Sequence, residues 1–351
     1  KEVTTNSFDD IFVANFDNNG KCKWLNSAGG TDMNSSAYTS GLVLYDNNDI
    51  GITGFFWGKL GFGNDTILTT DENTGSFIAK CNAQGEWIWN TQLEGEYSEW
   101  AYTIDKDTAG YTIIAGVFDG TGIFGNDTLI GTWDINLFLA KIDDNKNWIF
   151  ATQTGGNSSA EPHKIIVDKN NNTFVTGWFY YDSIAFDSIT LVSNGEDDIF
   201  IGYCDINGNW LSAISYGDQG RDFGNSVVND TSNKIFISGV TSANNSNLKS
   251  TQIENKAYNF IGKLILEQNN IAVSLSLKKT LSNQNFYAFP NPFDTDISII
   301  YSIEQPDNYS IIIYNINGEI VFKANDKYYN KGTYNLQWKN NNILPGTYLC
   351  N

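Results

Sequence analysis

The sequence has few of the residues on which most catalytic and metal sites are built. One histidine, His163, is present in 351 residues, so a zinc site with several imidazole ligands cannot form within one chain. Four cysteines are too few and too scattered to staple a chain of this length, and no CxxC or Cys/His cluster occurs. There is no Gly-x-Ser-x-Gly elbow, no phosphate-binding loop and no HExxH. No apolar run approaches the ~20 residues needed to span a bilayer. Positive charge is also scarce. Lys and Arg total 21 against 40 Asp and Glu, a net of −19. That balance excludes a generic nucleic-acid binder, which needs a basic footprint on phosphate, and docking on an anionic membrane surface. Five prolines and one methionine occur. The chain begins at Lys1 with no leader pattern, which we read as a mature product or a fragment.

What is abundant is aromatic, small and turn-forming. Aromatics make up 14% and hydrophobic residues 41% of the chain, enough for packed cores and too much for general disorder. Asn, Gly, Thr and Ser are plentiful, as in many short strands joined by tight turns. The pentapeptide FGNDT occurs at Phe62–Thr66 and Phe124–Thr128, and a weaker copy, FDSIT, at Phe186–Thr190. Both steps are 62 residues. Phe12, Phe77, Phe138, Phe200 and Phe260 open similar strands at intervals of 65, 61, 62 and 60. Between them run strands with a glycine near their end, Gly54, Gly116, Gly177 and Gly239. Trp87, Trp148 and Trp210 each follow the strand-opening Phe by ten residues.

Each unit reads as two hairpins, for example Ala101–Phe118 and Leu137–Thr154, alternating apolar and polar and breaking at Asp/Asn/Gly clusters. Four antiparallel strands at a fixed period predict an all-β fold with four-stranded propeller blades. FGNDT falls on the connection between the two hairpins of a blade. Four to five blades are visible over residues 1–269. The chain opens on the second hairpin of a blade, at Asp9–Ser27, so we expect the propeller to be incomplete at its start. Residues 270–285 read as a last strand and a linker.

The strings SFIAKCNAQGEWIW and IVDKNNNTFVTGWF are similar to the SBBP-like family of bacterial propeller repeats over about Asp9 to Leu266. That resemblance implies an extracellular or envelope scaffold with no fixed activity. From Phe286 to Asn351 the strands alternate cleanly between Pro-Asp-Asn, Asn-Gly and Pro-Gly turns, which predicts a small Ig-like β-sandwich. This stretch resembles the type A C-terminal sorting domain of type IX secretion cargo. The residues that carry it are Pro290, Asn291, Pro292 and Phe293, then Gly318 with Glu319, Gly332 to Tyr334 with Trp338, and Leu344 to Tyr348 around Gly346. It implies a Bacteroidetes origin, passage through the type IX machinery, and an extracellular or outer-membrane-surface destination. Members of the family continue into one more strand, so the reading expects a sorting domain short of its last strand. Six acids and four lysines lie from Phe286 onward, a net of −2. The remaining −17 falls on the propeller, where it favours solubility.

Candidate site residues follow from this frame. Aromatics after the glycine-bearing strand, Phe56, Trp57, Trp178 and Tyr180, with Trp100 before the following strand, could stack on sugar rings or partner surfaces. Trp57 and Tyr180 are expected to extend past strand ends. Packing between blades is the competing role. His163 would lie near a channel mouth. Asp65-Thr66, Asp127-Thr128 and Asp187-Ser188, each followed by an aliphatic residue, resemble O-glycan acceptors of Bacteroidetes at Thr66, Thr128 and Ser188. DKDTAG and DINGN suggest calcium but lack the EF-hand spacing. No cofactor and no catalytic residue is assigned. The preferred function is a secreted binding or scaffold propeller with a glycan or protein partner. An extracellular polysaccharide-active enzyme, with carboxylates at the channel, and a passive adhesin or surface-layer segment are the alternatives.

Overall fold

The computed structural model describes residues 2–3, 7–30, 34–69, 73–131, 135–230, 234–241, 258–267, 270–274, 287–289, 296–303, 305–315, 319–324, 327–339 and 348–350. The chain divides into two compact units, Lys1–Thr280 and Leu281–Asn351. The linker expected up to residue 285 falls at 275–286, outside the described residues.

The first unit is all strand. It opens with a half blade, β1 (Ile11–Phe16) and β2 (Cys22–Gly30). The first full blade contains β3 (Ser36–Leu44), β4 (Ile50–Trp57), a small inserted pair β5 (Lys59–Phe62) and β6 (Asp65–Leu68), then β7 (Gly75–Cys81) and β8 (Trp87–Gln92). A two-residue strand β9 (Glu94–Gly95) leads to the second blade, β10 (Glu99–Lys106), β11 (Thr112–Phe118), the inserted β12 (Thr121–Phe124) and β13 (Asp127–Ile130), β14 (Asn136–Ile142) and β15 (Trp148–Gln153). The third repeats the plan: β16 (Gly155–Gly156), β17 (Ala160–Val167), β18 (Thr173–Tyr180), β19 (Ser183–Phe186), β20 (Ile189–Val192), β21 (Asp197–Cys204) and β22 (Trp210–Tyr216). The fourth is β23 (Phe223–Asn229), β24 (Ile235–Thr241), β25 (Tyr258–Glu267) and β26 (Asn270–Ser274). Each full blade is an antiparallel meander of four strands. The fold is the β-propeller type the period predicts.

The cores lie between blades rather than within them. Ile113, Ala115, Leu137 and Leu139 of the second blade pack on Val175, Phe179 and Phe200 of the third. Ile11 and Val13 of the half blade pack on Ile52, Phe56 and Phe77 of the first. Because neighbours cover both faces, β7, β11, β14 and β21 are buried along their whole length. Apolar–polar alternation survives toward blade edges and in the inner strand β24 of the fourth blade. Phe12 shows the opposite case. Its equivalents Phe77, Phe138 and Phe200 are fully buried, whereas Phe12 is 65% exposed, on a strand that pairs only with β2 among the described strands.

The recurring glycine has a steric cause. In every full blade the first strand carries a bulge, with one extra residue at Ser40, Tyr102, His163 or Asn225. The bulge pushes a carbonyl against the second strand. A Cβ on Gly54 would stand 1.9 Å from the Tyr38 carbonyl oxygen, and one on Gly116 would stand 2.1 Å from that of Trp100. Such overlap leaves room only for hydrogen.

The repeated pentapeptide makes a hairpin. Phe62 pairs with Asp65 and Phe124 with Asp127, closing two-residue loops in which Gly63 and Gly125 take φ of 64° and 61°, as hairpin turns with glycine first require. The phenylalanine is the anchor. Phe62, Phe124 and Phe186 are buried and meet Trp87, Trp148 and Trp210 edge-on at 5.0, 5.0 and 4.8 Å. The same rings contact Phe77, Phe138 and Phe200. Each inserted hairpin then pairs with the strand leaving the preceding blade: β5 with the end of β2, β12 with β9, β19 with β16. The hairpin therefore ties successive blades by backbone hydrogen bonds, for example Glu96 N to the Thr121 carbonyl at 2.9 Å.

The second unit is built on β27 (Tyr287–Phe289), β28 (Asp296–Ile303), β29 (Asp307–Tyr309), β30 (Ile312–Asn315), β31 (Ile320–Lys323), β32 (Lys327–Tyr329), β33 (Gly332–Lys339) and β34 (Tyr348–Cys350). Two three-stranded sheets, β27-β28-β33 and β31-β30-β34, enclose Ile297, Ile299, Ile313 and Trp338, and β29 pairs with β32. That last ribbon was not foreseen, because its strands are three residues each.

Replacing Phe124 by alanine is expected to cost about 3–5 kcal/mol, the usual range for a buried phenylalanine. Denaturant unfolding measures it, and a loss below about 1 kcal/mol would show that the Phe–Trp contact does not hold the hairpin to the blade.

Candidate functional site

Strand register fixes which residues share an end of the blades. Counting from the recurring glycine, Phe55, Val117, Trp178 and Val240 are equivalent, and so are Trp57, Asp119 and Tyr180. Across the first hairpin they face Tyr38, Trp100, Glu161 and Phe223. All stand where the first strand begins and the second ends. The structure thus brings four of the five predicted ligand residues, Trp57, Trp100, Trp178 and Tyr180, to one end of the blades, and His163 close behind them at the bulge.

On the first blade Tyr38 stacks on Phe55 at 5.4 Å and lies 5.6 Å from Trp57. Tyr38 is exposed, and Phe55 and Trp57 are partly so. The Tyr38 hydroxyl donates to Asp9, and that bond, ahead of burial, raises its pKa. Trp178 on the third blade meets Phe223 of the fourth edge-on at 6.2 Å. Tyr180 packs on Tyr181 at 4.1 Å. None of Trp57, Trp100, Trp178 or Tyr180 belongs to the buried clusters. Phe56 does, fully buried, because its side chain points to the opposite face. Trp57 and Tyr180 are the last residues of their strands rather than lying beyond them. Tyr38, Phe55 and Phe223 were missed by sequence reasoning; the register with Trp178 and Trp100 is the signal that would have found them.

His163 is held structurally. Its Nδ1 lies 3.1 Å from the Gly224 carbonyl of the next blade and its Nε2 3.5 Å from Glu161. The turns that suggested calcium use their carboxylates locally. Asp107 Oδ1 accepts from Ala109 N and Tyr111 N, and its other oxygen pairs with Lys141 at 2.6 Å. Asp205 accepts from Asn207 N and Asn209 N. Among the described residues no group of three or more His, Cys, Asp or Glu is placed to hold a metal. Thr66 and Thr128 are exposed on the second strand of their hairpins, and Ser188 is exposed in its turn. Pro290, Asn291, Pro292, Phe293, Gly318 and Gly346 lie outside the described residues.

Beneath the aromatic end sits Glu99, 4% exposed at the start of β10, with no hydrogen-bond partner for Oε1. Burial pushes its carboxyl up to about 8. In the unfolded chain it ionises near the ordinary glutamate value. Its burial therefore subtracts nothing at low pH and destabilises increasingly as pH rises from about 4.5 to about 8. Glu99→Gln is expected to raise the melting temperature at pH 8 and leave it nearly unchanged at pH 4. A gain equal at both pH values would show that Glu99 is not buried as an acid.

Residues 287–351 match the family model of a secretion system C-terminal sorting domain, and residues 149–178 match that of a beta-propeller repeat. An uncharacterised WD repeat-containing protein of Acanthamoeba polyphaga mimivirus is 24% identical over 294 residues, 67% of this chain and 21% of that protein. The chain thus spans about a fifth of that relative's length. Among solved structures, hydrazine synthase of Kuenenia stuttgartiensis aligns with a TM-score of 0.37 and 11% identity, over 75% of this chain and 76% of that one. An apocarotenoid oxygenase mutant of Synechocystis aligns with a TM-score of 0.33 and 8% identity, over 70% and 53%. Both scores are too low to bear on fold or function.

Proposed function

We propose that this chain, which joins β-propeller repeats to a type IX secretion system C-terminal sorting domain, is an exported propeller that binds glycans at the aromatic end of its blades. The sorting domain indicates export to the cell surface or the extracellular space and an interaction with the secretion machinery. The observation that carries the binding reading is the Tyr38–Phe55–Trp57 stack, outside any core and partly open to solvent. Aromatic faces of this kind pack on the C–H faces of sugar rings, and rigid aromatic side chains lose little entropy in doing so.

The test is retention of polysaccharides on the propeller, with released reducing ends measured in parallel. Retention without release, weakened about two- to twelvefold by Trp57→Ala, is the expected result, since one aromatic contact contributes about 0.5–1.5 kcal/mol. Release of sugar would replace this reading with a polysaccharide-active enzyme. A second use is favoured by the exposure of Thr66, Thr128 and Ser188 at equivalent hairpins: O-linked glycans at these positions. Mass spectrometry of native secreted protein should find added hexose mass on peptides that contain them, and unmodified peptides would rule it out.

A further inference from the structure

The residue four places after the recurring glycine is Gly58 in the first blade and Gly120 in the second, with φ of 77° and 71°. In the third blade the same position is Tyr181, with φ of 51°. A left-handed backbone is unfavourable for a side chain with a Cβ, and a bulky residue there is a genuine outlier. Core packing does not offset that cost, because Tyr181 is 58% exposed. Its backbone is pinned instead, with its N–H donating to the Glu196 carbonyl at 2.8 Å. Lys146 and Asp187 likewise take glycine's place in other turns, so the strain by itself assigns no role; what sets Tyr181 apart is its ring, exposed beside that of Tyr180.

The neighbours say what that ring can meet. Tyr180 and Tyr181 meet edge to face, which leaves ring surface open on both, 38% and 58% exposed. Asp197 is the strand partner of Tyr180, and Asp197 bridges to Arg221, the single arginine of the sequence. Arg221 Nε lies 3.1 Å from Glu196 Oε2 and 3.3 Å from Asp197 Oδ2, and Arg221 remains 62% exposed. Aromatic faces, guanidinium donors and carboxylate acceptors therefore share one edge between the third and fourth blades.

We infer that Tyr180, Tyr181, Arg221 and Glu196 form a subsite for a neutral saccharide. A sugar ring offers an apolar C–H face to tyrosine and hydroxyls that both donate and accept, which suits a guanidinium held beside carboxylates. An anionic sugar would meet Glu196 and Asp197 on a chain of net charge −19, and like charge disfavours it. This subsite rests on the reading that the aromatic end is a ligand surface.

The test uses the full chain with neutral cello-, manno- and xylo-oligosaccharides, and with polygalacturonate as the anionic probe. Tyr181→Gly restores the residue the first two blades carry, so it should fold as well as the native chain or melt higher. Its affinity for the neutral ligand should fall at least about twofold, and Arg221→Lys should fall similarly through loss of the planar donor fork. Native-like binding by Tyr181→Gly overturns the subsite. In that case Trp57→Ala decides separately whether the broader glycan reading survives. Retention of polygalacturonate but of no neutral ligand overturns the assignment of a neutral saccharide.

Discussion

The contact on which the rest depends is the edge-on packing of Phe62, Phe124 and Phe186 against Trp87, Trp148 and Trp210. An isolated two-stranded hairpin is at best marginal in water. Anchored by a buried phenylalanine, it becomes a fixed arm that reaches the strand leaving the preceding blade. It adds a backbone connection to the face-to-face burial and to the other inter-blade hydrogen bonds, such as Glu99 N to the Thr74 carbonyl. With that spacing fixed, the ends of the first hairpins come to one side, and the aromatics there share a surface rather than scatter.

The bulge and its glycine act on the same surface. An extra residue in the first strand bends it and turns successive side chains, while the glycine opposite admits the displaced carbonyl. His163 occupies the extra position in the third blade; its Nδ1 reaches the Gly224 carbonyl of the fourth, while its Nε2 faces Glu161 of its own strand. Glu99 sits under the second blade's end without a full set of partners, so that end contains an ionisable group whose burial is only partly compensated. The acidic surface elsewhere keeps an exported chain soluble.

Much of this was legible in the sequence. The period named the blades, because Phe77, Phe138 and Phe200 must each recur at a buried place. The alternating strands after Phe286 named the small sandwich. Other parts were hidden for physical reasons. FGNDT reads as a turn, but its pairing with the previous blade depends on residues some 30 places earlier, such as Gly29 with Gly61. Trp57 and Tyr180 could be picked by type. Tyr38 and Phe55, which group with Trp57, could not, since strand pairing across a bulge shifts the register by one. Phe56 looked like a neighbour of Trp57 in sequence and points to the other face. Tyr181 breaks a legible pattern, standing four places after Gly177 where the first two blades carry Gly58 and Gly120, but only its φ shows that it keeps the glycine's conformation.

The most direct test of the central claim, that the ligand sits at the aromatic end of the blades, is amide hydrogen exchange with and without a saturating oligosaccharide that the protein retains. The account predicts slowed exchange in peptides covering residues 36–58 and 174–184, with the outer hairpin tips near Asn64 and Asn126 unchanged. Protection centred on those tips or on the second unit, with the aromatic end unaffected, would contradict it.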